Sequence, residues 1–70
     1  MSSWKSLKAR SLLAALIRIG WQEDRRSGSH RTLKRPGWPD FRFAFHDGEE
    51  IGPKMVQRIA KRTGLKADDI

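Results

Sequence analysis

Seventy residues carry 15 Lys and Arg against 8 Asp and Glu, a formal net charge of +7, with a sequence pI near 10.9. A chain of this length holds one domain, residues 1–70, and leaves no room for separate catalytic and regulatory units. Cysteine is absent and only two histidines occur, which argues against disulfides and zinc and leaves packing to hold the fold.

Met1 to Leu7 reads as a lead-in whose Trp4 and Leu7 fold back onto the core. Lys8 to Ile19 reads as a helix: Ala9, Leu12, Leu13, Leu16 and Ile17 recur at helical spacing, with Arg10 and Arg18 off that stripe. Gly20 follows where a left-handed C-cap would sit. Trp21 to Arg26 alternates weakly as a first strand, Ser27-Gly28 marks a turn, and Ser29 to Arg35 is a second strand. Pro36-Gly37-Trp38-Pro39-Asp40 is a loop by composition. Phe41, Phe43 and Phe45 alternate along a third strand with one buried face. His46 to Glu50 is a second loop. Ile51 leads into a second helix with Pro53 in its first turn, Met55, Val56, Ile59 and Ala60 on its inner stripe, and Gly64 at its end. Leu65 to Ile70 either adds a short helical turn or frays.

The order predicts an α+β fold, α-β-β-β-α, with a three-stranded antiparallel sheet and two helices packed on one face. With Leu33 and the phenylalanines inward, His30, Thr32 and Lys34 point outward, as do Arg42, Ala44 and His46. Closing the hairpin through 36–40 pairs Arg35 with Phe41 and, counting back, His30 with His46. The two histidines are then expected as neighbours on the exposed face.

The charge is uneven. Residues 1–45 hold ten Lys and Arg against three acids, whereas residues 46–70 hold five of each. From Arg25 to Arg42 only Asp40 opposes Arg25, Arg26, Arg31, Lys34, Arg35 and Arg42. A single-signed run on strands points to a phosphate-binding surface, although a solvated face is the plainer reading. No apolar stretch approaches the roughly 18 residues of a membrane span, and the N-terminus lacks the apolar core of a signal peptide. A small soluble cytoplasmic domain that seeks a polyanion is expected.

Gly28-Ser29-His30 is the most informative tripeptide. A histidine just after a glycine turn is held on a rigid strand while its approach stays open, and imidazole exchanges protons near neutrality. In RNA the nucleophile, the 2′-OH, already belongs to the substrate, so one acid–base group with basic neighbours suffices without a metal or cofactor. The same residues also suit plain binding.

Leu12-Leu13-Ala14-Ala15-Leu16 leading into Gly20-Trp21, then Gly28-Ser29-His30, Phe43-Ala44-Phe45-His46, Glu50-Ile51-Gly52-Pro53 and Thr63-Gly64-Leu65, resembles the HicA mRNA-interferase toxins, the YcfA-like group. The resemblance runs from about Lys8 to Ile70. It implies a double-stranded-RNA-binding-domain-like fold, a HicB-type antitoxin as partner, and metal-independent mRNA cleavage by the histidine of this motif, here His30. His46 is either a second acid–base group or a strand-end residue. Arg25, Arg26, Gly28, Ser29, Arg31, Lys34, Arg35, Arg42 and Trp38 are the candidate RNA contacts. Trp38 stacks on a base, seats the antitoxin, or packs on its own prolines. Trp21 and the phenylalanine stripe read as core. A non-catalytic RNA-binding module of the same fold and a small interaction protein are the competing readings.

Overall fold

A computed structural model of the chain describes residues 4–70. Its elements are β1 (Leu7–Lys8), α1 (Ala9–Arg18), β2 (Gln22–Ser27), β3 (His30–Lys34), β4 (Phe41–Ala44), β5 (Glu50–Ile51), α2 (Pro53–Thr63) and a 3-10 turn at Ala67–Asp69. The major order is α-β-β-β-α, with β2, β3 and β4 forming an antiparallel meander. The short β1 and β5 add a separate bridge, Leu7 opposite Ile51, that ties the lead-in to the start of α2. Trp4 and Leu7 pack against the core from that side.

Inward positions of the sheet meet both helices. Leu33 of β3 and Phe43 of β4 are fully buried with Leu12 and Leu16 of α1 and Val56 of α2. Removing such side chains from water is worth about 1.5–3 kcal/mol each, the main force against chain entropy in so small a domain. Trp21 completes the core and donates its indole N–H to the Thr63 carbonyl at 3.0 Å.

Ala9, Leu12 and Leu16 of α1 and Val56, Ile59 and Ala60 of α2 are buried as expected, and each stripe differs at one edge. On α1, Ala15 is buried while Ile17 is 49% exposed, and on α2, Thr63 is buried while Met55 is 40% exposed. Thr63 enters the core because its hydroxyl donates to the Ile59 carbonyl of the preceding turn at 2.7 Å. No side chain caps α1. Instead, the amides of Ala9 and Arg10 donate to the carbonyls of Glu49 and Asp47, at 2.8 and 3.1 Å. The β4–β5 loop is thereby fixed to the helix N-terminus.

The β3–β4 register corrects the expected one. Leu33 faces Phe41 and His30 faces Ala44, so the strands are offset by two residues from a pairing of His30 with His46. The inward parity of Leu33 and Phe43 is as expected, because a two-residue offset preserves the pleat. The offset arises because Arg35 does not pair with Phe41. Arg35 instead turns toward α2, where its Nη1 donates to the Thr63 carbonyl at 3.4 Å, and its guanidinium lies 5.2 Å from the Trp38 ring centroid.

Candidate nucleic-acid interface

The β2–β3 hairpin turns through Gly28 and Ser29, between the paired residues Ser27 and His30. Gly28 has φ +60° and Ser29 does not enter the left-handed region, the pattern of a type II′ turn with glycine first. That tight turn fixes His30 as the first residue of β3 and leaves its side chain exposed.

A bulge in β2 decides what surrounds it. Glu23 faces Leu33, but Arg25 faces Thr32, so Asp24 is the extra residue. Beyond the bulge Arg25 shares a row with Thr32 and Arg42, and Ser27 shares the next row on the same face with His30 and Ala44. Directly opposed side chains start about 4.5–5.5 Å apart and diagonal ones about 7–8 Å, within reach of arginine. Arg25 and Arg42 are therefore both diagonal neighbours of His30. These three line one hollow with Ser27 and Thr32, without a carboxylate. Among the described residues neither arginine has an ion-pair partner, and no hydrogen bond holds the His30 ring.

A family model for the HicA toxin of bacterial toxin–antitoxin systems matches residues 9–65, from the first residue of α1 to just past α2. The chain belongs to the HicA toxin family. Membership implies an antitoxin partner. No curated protein matches the chain.

Within this HicA fold the remaining candidates separate. Arg26 and the Gly28–Ser29 turn line a second hollow together with Arg31, Phe45, His46 and Asp47, and it shares no residue with the His30 hollow. His46 lines that second hollow two residues past Ala44, beyond the end of β4, where its amide donates to Glu49 Oε1 at 3.2 Å. Lys34 is exposed but lies 3.9 Å from Asp24 and 3.6 Å from Asp40, which share its charge.

Arg31 is buried and paired with carboxylates. It points inward opposite Phe43, is 5% exposed, and is clasped by Glu23 at 3.0 Å and Asp47 at 2.9 Å. Arg35 and Trp38 lie past the other end of β3, whose last residue Lys34 is about 13 Å along the strand from His30. Trp38 packs edge-on against Trp21 at 6.1 Å. Its ring also closes over Gly64, where an added Cβ would come within 2.8 Å of it. Gly64 has φ +78°, so glycine answers both the backbone and the close approach.

One basic surface escaped the count of charge by segments. Lys54, Arg58, Lys61 and Arg62 are exposed on α2, which carries no acid; acids flanking the helix cancel them in the sum. Their recurrence at positions i, i+4, i+7 and i+8 was the available signal.

Proposed function

We propose that this HicA-family toxin is an endoribonuclease acting on mRNA, with His30 as its acid–base group and a HicB-type antitoxin as its partner. The observation that supports it is the pairing of rows: an exposed imidazole with Arg25 and Arg42 as diagonal neighbours and no carboxylate lining the hollow. The 2′-OH of the substrate attacks the adjacent phosphorus as the bond to O5′ breaks. The products are a 2′,3′-cyclic phosphate and a 5′-OH. Neutral His30 accepts the 2′-OH proton while solvent water protonates departing O5′, or protonated His30 delivers a proton to O5′ while water takes the one from the 2′-OH; either is general acid–base catalysis. Arg25 and Arg42 neutralise the non-bridging oxygens, where negative charge grows in the transition state. Substrate and side chains together supply nucleophile, proton carrier and counter-charge.

The test is incubation of purified protein with mRNA in the presence of a chelator, comparing wild type with His30→Ala. Wild type is expected to give fragments ending in 2′,3′-cyclic phosphate, and His30→Ala to give none. Equal cleavage by both overturns the role of His30. Binding without cleavage by wild type identifies a non-catalytic RNA-binding module instead.

A further inference from the structure

β4 is one of the two outer strands of its sheet, and its free edge faces α2 across a groove of about 280 Å³. Phe41, Phe45, Met55 and Ile59 form its apolar lining. The two aromatic rings are held from behind: Phe41 lies 6.4 Å from Trp21 and Phe45 lies 5.2 Å from Phe43, both edge-on. Arg42, Arg58 and Arg62 complete the groove, and no carboxylate lines it. Arg42 also lines the hollow around His30, so one guanidinium joins the two depressions.

We propose that this groove seats one unpaired nucleotide of the RNA, the next along the strand from the phosphate at His30. The inference rests on His30 marking the reacting phosphate. An apolar, partly aromatic surface bordered by cations matches a base face attached to a phosphate backbone. Bases in a duplex are stacked on both faces and cannot enter, so the occupant is single-stranded. The continuous positive charge through Arg42 favours RNA over an apolar protein segment. The groove then contributes affinity and base preference that His30 itself does not.

The test uses the full chain carrying His30→Ala, so that RNA is bound without cleavage, and a single-stranded RNA of mixed sequence. Each nucleotide in turn is replaced by an abasic one. One position should cost about tenfold in affinity, the range of base stacking on a protein platform. Adding Met55→Glu, at a side chain already 40% exposed, should abolish that position-specific penalty. Adding Arg58→Ala and Arg62→Ala, both exposed, should lower affinity and flatten its salt slope by about 1.4, two single-strand phosphate contacts at ~0.7 each. An unchanged abasic scan in Met55→Glu overturns the proposal. If that variant keeps its scan but loses its complex with the co-expressed antitoxin, the groove seats protein instead, which also overturns it. Wild-type cleavage is assayed in parallel: its absence with the abasic penalty intact refutes the reading of His30 and leaves a groove that binds a base.

Discussion

Arg31 and Arg42 occupy adjoining rows of the same two strands, on opposite faces of the sheet. Arg31 is 5% exposed and held by Glu23 and Asp47, while Arg42 is exposed and without an ion-pair partner among the described residues. Arg31 joins β2, β3 and the β4–β5 loop, and through the Asp47 carbonyl that loop is fixed to α1. Arg42 forms no ion pair among the described residues and lines one hollow with His30. These two arginines of one charged run differ by the side of the pleat each takes: the inner one is ion-paired and the outer one, among the described residues, is not.

The sharpest way to break this comparison is to remove the histidine of each hollow in turn. His30→Ala should lower RNA cleavage about 10²–10⁴-fold, the usual contribution of a general acid–base group. His46→Ala should leave the rate unchanged, and a comparable loss there would merge the two hollows into one site.

The inner face responds in stability rather than rate. Glu23→Ala with Asp47→Ala leaves the Arg31 charge buried and unpaired, and should cost about 3 kcal/mol in urea unfolding. Arg31→Met should cost much less, because Glu23 and Asp47 are 37% and 54% exposed and pass to water. Equal losses would mean that the guanidinium is not the group that suffers. Trp38→Ala should remove the contacts to Trp21 and Arg35, about 1–2 kcal/mol together, while RNA affinity stays the same. Arg25→Ala or Arg42→Ala should leave the melting temperature in place and flatten the salt dependence of single-stranded RNA binding by about 0.7 each.

The sequence carries the element order because two amphipathic helices and the Phe41–Phe43 alternation are local, periodic signals. Those signals also place Leu33 and Phe43 inward. The β3–β4 register is less legible, since it depends on where the connection closes. Arg35 and Trp38 leave the hairpin to meet Thr63, Gly64 and Trp21, contacts no period reveals. Arg31 misleads for the same reason: Glu23 and Asp47 approach it only once β2 and the β4–β5 loop are folded. The bulge at Asp24 is equally hidden, yet it brings Arg25 beside Thr32. Gly28-Ser29-His30 is legible as a motif, whereas its flanking by Arg25 and Arg42 is a product of register.

The most direct measurement is nuclear magnetic resonance of the His30→Ala chain titrated with a short single-stranded RNA. The largest amide and side-chain shifts should fall on Arg25, Ser27, Thr32 and Arg42, with Arg31, Arg35 and Trp38 little changed. Shifts centred on Arg31 and His46, or on Arg35 and Trp38, would contradict the assignment of the outer face to RNA.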